Sequence, residues 1–316
     1  MRTNLSGRLI VLFGGSGFVG NYVAQSLLER GARLRIASRH PEKAHTLRPL
    51  ATLGQMQFVR CNILREAELA ATLQGAEGVV NLVGAFNGDL GRLMGSAPGT
   101  MARIAAEEGA SRFVHVSASA ADPDGETVYA RAKALGEQMV LEHFPSATVL
   151  RPTILFGRDD TFINMFAQLI QLFPILPVFG PEAPLQLTYV DDVAEAVATA
   201  LNDPQEHGAA TFELGGPDTL TMMEINRRIA AAQHRRRTFI SMPDPASALF
   251  AKLPGTPMST AQWLMLKAGA VVSGKHPGFA DLGITPRPLD LFLDEWMVRY
   301  RKHGRFGVRT SAAYMR

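Results

Sequence analysis

Short apolar runs alternate with helix-periodic stretches through the first half of this chain. Leu9–Phe13 is a five-residue apolar run, and the segment after it sets Val19, Val23, Leu27 and Leu28 on one helical face before Gly31 ends it. Further runs at residues 33–38, 56–60, 78–83, 112–117 and 147–150 read as strands, with helices expected at 66–73, 99–108 and 127–143. Strands separated by helices at this spacing form βαβ units, so the sheet they build is parallel. The expected fold is α/β, a Rossmann-type doubly wound parallel sheet with a smaller C-terminal domain.

Beyond Arg151 the rhythm loosens and prolines become frequent, although residues 191–201, 211–214 and 221–232 look like returning elements. Residues 161–181 carry no charge, but Asn164, Gln168 and Gln171 interrupt the stretch and Pro174, Pro177 and Pro181 break its second half. That pattern predicts a helix followed by a proline-rich apolar loop, suited to wall a pocket or touch a membrane surface, and not a transmembrane span. From Pro243 onward Pro and Gly punctuate short helices, one centred on Trp263–Leu266 and a last amphipathic one over residues 289–300. The expected division is a nucleotide-binding domain over residues 1–230, with a lobe inserted near 158–182, and a helical or irregular domain over 231–316.

Composition narrows the class. With 316 residues, 47% hydrophobic and 19% charged, the chain has ample apolar sequence for a core. Its single cysteine, Cys61, excludes an intramolecular disulfide and reads as a buried strand-end residue. A net charge of +3 is too small to argue for a nucleic-acid partner. The basic residues gather in His234–Arg237 and in a C-terminal run of Arg299, Arg301, Lys302, Arg305, Arg309 and Arg316 that meets no acid after Glu295. Such clusters are either solvated or face anionic lipid or a larger assembly. Arg2, Arg8 and the brief apolar run after them make too short an export signal, and a first strand starting near Arg8 leaves no room for a transit peptide, so a cytoplasmic location is expected. The histidines lack ligand spacing, and Asp191 with Asp192 suits capping of a helix start, so no metal is expected.

The first apolar run leads into Gly14-Gly15-Ser16-Gly17-Phe18-Val19-Gly20. Glycines at 14, 17 and 20 let the backbone turn sharply, approach a pyrophosphate and pack a helix on the strand, whose free N–H groups then face the phosphates. About twenty residues on, the second strand ends in Ser38-Arg39-His40, with no carboxylate to hold a ribose 2′-hydroxyl. An arginine there suits a 2′-phosphate, which favours NADP(H) over NAD(H), with Lys43 as a second cation. Tyr129 and Lys133 lie four residues apart on one helical face, where a cation beside a phenol lowers its pKa and readies it to exchange a proton with a carbonyl or alcohol.

Taken together these residues resemble the extended, atypical branch of the short-chain dehydrogenase/reductase superfamily. The matching stretches are Phe13–Gly20, Asn81–Gly84, His115–Ser117, Tyr129 with Lys133, Arg151–Ile154, Phe156-Gly157 and Tyr189–Val193, about two thirds of the chain. The resemblance implies cofactor contacts at Val83, Gly84, Pro152 and Ile154, an adenine contact at Asn62 and Ile63, and a ribose contact at Lys133. It also implies catalytic roles for Tyr129, Lys133 and Ser117. One departure is visible: where the superfamily carries a second hydroxyl to polarise a substrate carbonyl, this chain has Ala118, flanked by Ser117 and Ser119.

Leu47–Leu50 with Leu53–Gln55, Asn81–Gly84, and Phe156–Arg158 with Asp160 and Phe162–Asn164 are similar to the NAD(P)-binding accessory subunits of respiratory complex I and their bacterial relatives. That resemblance implies a tightly held nucleotide with a structural role, at the cytoplasmic face of a bacterial inner membrane, with complex I subunits and the membrane surface as partners. The alternative is an NADP-dependent oxidoreductase or epimerase acting on a small apolar or quinone-like substrate.

Overall fold

A computed structural model describes residues 5–251, 260–302 and 304, and the chain forms two compact units. The first takes the chain up to Thr153, Val190–Gly215 and Val272–Pro286. The second takes Ile154–Tyr189, Gly216–Val271 and the chain from Arg287. These units do not follow a single cut near residue 230, because the chain passes between them several times. Of the C-terminal basic run, Arg305, Arg309 and Arg316 lie outside the described residues.

In chain order the first unit opens with β1 (Leu9–Phe13), α1 (Phe18–Glu29), β2 (Arg33–Ser38), β3 (Met56–Arg60), α2 (Glu66–Leu73), β4 (Gly78–Asn81), α3 (Ala97–Glu107), β5 (Arg112–Val116), α4 (Val128–His143) and β6 (Thr148–Pro152). The second contributes β7 (Leu155–Phe156), α5 (Phe162–Leu172), β8 (Ile175–Phe179), β9 (Pro184–Gln186) and β10 (Thr188–Tyr189). The chain returns to the first unit for α6 (Val190–Asn202), α7 (Pro204–His207) and β11 (Thr211–Leu214). β12 (Thr219–Thr221), α8 (Met222–Ala232), β13 (Thr238–Met242), α9 (Asp244–Phe250), α10 (Thr260–Ala268) and α11 (Asp290–Trp296) complete the second.

The first unit is built on a seven-stranded parallel sheet in the order β11-β6-β5-β4-β1-β2-β3. Its direction of growth reverses between β1 and β4, where an open α/β sheet leaves a crevice at the carboxyl ends of its strands. β1 is central and nearly all buried, and Val11 and Phe13 pack in a cluster with Val79, Phe113, Leu69, Leu73, Met101 and Val140. Thr127 caps α4 by accepting from the Ala130 N–H at 3.1 Å. β4 ends two residues earlier than expected, because the Asn81 side chain takes the Val83 N–H at 3.1 Å and turns the backbone out of the ladder. α3 is entered through one π-helical turn, Gly91–Ser96, and a 3₁₀ segment runs over Pro41–Leu50. α4 lies so close to that turn that a Cβ on Gly136 would come 2.1 Å from the Met94 carbonyl oxygen.

The second unit has its own core, in which Phe156, Ile163, Ile170, Leu176, Val178, Ile225 and Ile229 are buried together. Residues 173–181 correct the expectation of a loop: β8 alternates buried Leu176 and Val178 with exposed Ile175 and Pro177, and pairs in parallel with β13. Asp160 accepts from the Gly157 N–H at 3.0 Å and the Ile163 N–H at 2.6 Å, and Asn164 donates to the carbonyls of Arg158 and Asp160 while accepting from the Tyr300 hydroxyl at 2.8 Å. The Phe156–Asn164 stretch therefore organises this unit's backbone. Burial raises the Asp160 carboxyl above its usual range, opposed by those backbone donors. Tyr189, Phe292 and Trp296 stack in a column, with the Arg287 guanidinium 4.5 Å above the Tyr189 ring.

Candidate nucleotide site and Tyr–Lys pair

The glycine turn joins β1 to α1 at the reversal point of the sheet. Gly14 has φ +77°, and a Cβ there would press on Leu82 and Val83 backbone atoms at 3.2–3.3 Å, so the turn and the β4 loop touch backbone to backbone. A Cβ on Gly20 would fall 2.5 Å from the Gly15 Cα, which only glycine avoids where the helix crosses its own turn. Gly17 is exposed and precedes α1 without a side-chain cap, leaving the first N–H groups of Phe18, Val19 and Gly20 open to a ligand. The Ser16 hydroxyl lies 2.7 Å from that of Ser38, which also accepts from the His40 N–H at 3.1 Å. This bond ties the phosphate turn to the end of β2, from which Arg39 extends exposed, with Lys43 exposed on the 3₁₀ segment. A bare-backbone turn, an uncapped helix start and an exposed cation beside them fit a dinucleotide phosphate.

After β3, Asn62 and Ile63 are half-buried. The Asn62 side-chain oxygen already accepts from the Leu64 N–H at 3.1 Å, and its backbone N–H donates to Glu68 at 2.7 Å. A contact with an adenine edge would therefore fall to the side-chain NH₂. Cys61 is buried just past β3, and burial pushes its thiol up. Val83 is half-buried and Gly84 exposed on the loop that meets Gly14, and Pro152 closes β6. Ile154 differs from the rest in belonging to the second unit.

Lys133 is buried in α4 and donates to the Val116 carbonyl at 3.1 Å. Burial brings its pKa down to about 8, although Glu137 one turn on opposes the shift. The Tyr129 ring stacks on Phe86 with centroids 5.0 Å apart and planes 16° apart, and burial pushes its phenol up to about 12. Ser117 donates its N–H to the Leu150 carbonyl at 2.7 Å and Ser119 its own to Pro152 at 2.9 Å, so the extended pairing continues past β5. Ser117 and Ser119 thus share one face and Ala118 has the other. The Ser117 hydroxyl is buried with no partner among the described residues, a polar atom left for a ligand.

Two further side chains neighbour the pair: Phe86, which no motif marks, and His115, which opens the His115–Ser117 stretch. Phe86, in the loop after β4, covers the Tyr129 ring while 60% exposed itself. His115 is buried beside Asn81, whose amide faces its Nδ1 at 3.0 Å. Burial and then the Lys133 charge bring His115 down to about 3, which keeps the ring neutral. No group of three His, Cys, Asp or Glu side chains suited to a metal occurs among the described residues, and no described helix is long and apolar enough to cross a membrane.

A sequence model described as the NAD dependent epimerase/dehydratase family matches residues 10–215. The chain is 31% identical over 317 residues to the mitochondrial NADH dehydrogenase [ubiquinone] 1 alpha subcomplex subunit 9 of Mus musculus, covering 96% of this chain and 83% of that one. It is 27% identical over 248 residues to the ceramide reductase of Caulobacter vibrioides, covering 78% and 76%. Among solved structures, the Citrobacter triphenylmethane reductase complexed with NADP(H) superposes with a TM-score of 0.75 at 16% identity, covering 91% of this chain and 99% of that one. At that identity the likeness is one of fold.

Proposed function

The chain belongs to the NAD dependent epimerase/dehydratase family, and from that premise we propose that it binds NADP(H) as a peripheral accessory subunit of a complex I-type NADH:quinone oxidoreductase. The observation that carries this reading is the contrast at the site: the phosphate turn is open and preformed, while the Tyr129 ring lies under Phe86 and Lys133 bonds a backbone carbonyl. The likeness to the mouse NADH dehydrogenase subunit over 96% of this chain supports the same assignment.

In this reading Gly14–Gly20 and the start of α1 hold the pyrophosphate, Arg39 the 2′-phosphate, Asn62 and Ile63 the adenine, and Val83, Gly84, Lys133 and Pro152 the nicotinamide end. When bound, NADP(H) brings a transferable hydride, but assembly needs only its binding. The nucleotide stabilises the folded subunit by RT ln(1 + [L]/Kd), roughly 4 kcal/mol at a thousandfold excess over Kd. The place of action is the cytoplasmic face of a bacterial inner membrane.

A second reading, an NADP-dependent oxidoreductase or epimerase on an apolar or quinone-like substrate, is favoured by the buried, unpartnered Ser117 hydroxyl and by the likeness to a reductase. Affinity purification of the tagged chain from membranes separates the two. Recovery with respiratory subunits is expected. A free protein whose NADPH-dependent turnover disappears in Tyr129→Phe would transfer the assignment to the enzyme.

A further inference from the structure

The β8–β13 ribbon of the second unit carries a surface that its core does not use. At the end of α5 and into β8, Leu172 is 70% exposed, Phe173 51% and Ile175 56%, with Pro174 and Pro177 exposed between and after them. On β13, Ile240 is 49% exposed. The register sets Pro177 beside Ile240 and Ile175 beside Thr238, so these side chains form one ridge and not scattered exposures.

The α5 end of the ridge carries a basic segment, whereas Glu182 and Asp244 stand past the other end of the ribbon. Residues 161–181 have no ionisable side chain, and between Glu224 and Asp244 the chain carries Arg227, Arg228, His234, Arg235, Arg236 and Arg237 and no acid. Arg228 is paired with Asp290. Arg237 donates to the carbonyls of Ile170 at 2.7 Å and Gln171 at 3.4 Å, at the end of α5, which fixes the basic segment to the base of the ridge. Arg235 donates to the Tyr300 carbonyl at 3.1 Å, and Arg236 between them is exposed.

We propose that this ridge docks the protein on an anionic phospholipid surface, with Leu172, Phe173, Ile175 and Ile240 entering the acyl boundary and Arg236 meeting lipid phosphate. An aliphatic and aromatic crest with an exposed arginine in the basic segment at its α5 end is complementary to a negatively charged bilayer. The inference rests on the peripheral placement proposed above and names the face that makes the contact. The C-terminal basic run is a poorer candidate where it is described: Arg299 donates to the Arg158 carbonyl at 2.7 Å, and Arg301 to the Ala232 carbonyl at 2.9 Å.

The test is flotation of the purified full chain with vesicles of phosphatidylcholine containing about a third phosphatidylglycerol, against vesicles of phosphatidylcholine alone. Binding is expected only with the anionic lipid. Arg236→Ala should weaken it about fivefold, the share of one arginine near a charged surface. Phe173→Glu with Ile240→Glu should weaken it more than tenfold, with an unchanged melting temperature and NADPH affinity as proof that the variant is folded. Equal flotation of that double variant and the parent would overturn the proposal, as would equal binding to the two lipids. If vesicles are ignored but respiratory subunits co-purify, the ridge covers a protein contact and the lipid assignment fails while the subunit reading stands. If vesicles bind and no respiratory subunit is recovered, the subunit reading fails and the lipid surface stands.

Discussion

The glycine cradle and the Tyr129–Lys133 pair belong to the same parallel sheet but differ in how far their geometry is set before any ligand arrives. The cradle is rigid by exclusion: at Gly14 and Gly20 a single added carbon would meet backbone atoms, which cannot move aside. The pair is held by softer contacts, a ring stack with Phe86 and one bond from Lys133 to the Val116 carbonyl. Burial moves the phenol away from proton exchange near neutral pH, up to about 12, while it brings the ammonium closer to that range, down to about 8. In the proposed reading what the molecule presets is binding, and the rigid cradle beside a softly held pair is what that reading rests on.

The contrast can be broken most forcefully at the cradle. In Gly20→Ala the new methyl falls 2.5 Å from the Gly15 Cα, so α1 must shift, with an expected cost of roughly 3 kcal/mol and loss of nucleotide binding. Denaturant unfolding and NADPH titration measure both. At the pair the expected sign is opposite. Between the folded value of about 8 and the ordinary 10.5 of lysine, the unfolded chain holds a proton that folded Lys133 has released. Stability therefore rises with pH across that window, by roughly 1.4 kcal/mol per unit. Lys133→Met should abolish the rise and leave the protein up to ~3 kcal/mol more stable at neutral pH, as read from denaturant unfolding across that pH range.

Two smaller effects sharpen the same comparison. Arg39→Ala removes charge-assisted bonds worth roughly 1.5–3 kcal/mol, so NADPH affinity should drop about ten- to a hundredfold with NADH affinity nearly unchanged. Equal losses by calorimetry would contradict the 2′-phosphate assignment. Tyr129→Phe should leave NADPH affinity and melting temperature where they are, since the ring and its stack on Phe86 remain.

The sheet was legible because its strands are buried and apolar and its glycines stand where backbone meets backbone. Phe13, Val79 and Phe113 mark three of those strands in the sequence, and all three are buried. β13 was not legible. Three arginines precede it, and its pattern of mostly exposed positions carries little of the apolar alternation that announces a strand. β8 was hidden by Pro174 and Pro177, which a two-stranded ribbon tolerates because their missing N–H groups leave no central ladder broken. Phe86 was hidden for another reason, as was the pairing of the motif residues His115 and Asn81: these contacts join residues 43 and 34 positions apart, which periodicity cannot report.

The central claim is that binding, and not turnover, is what this protein contributes, and its most direct measurement is assembly in the cell. Parent, Tyr129→Phe and Gly20→Ala chains are expressed in place of the native protein, and the membranes are assayed for intact NADH:quinone oxidoreductase. The account predicts that Tyr129→Phe assembles as well as the parent, whereas Gly20→Ala fails and its subunit is degraded. Loss of function in Tyr129→Phe, in a chain that still binds NADPH with the parent affinity, would contradict it.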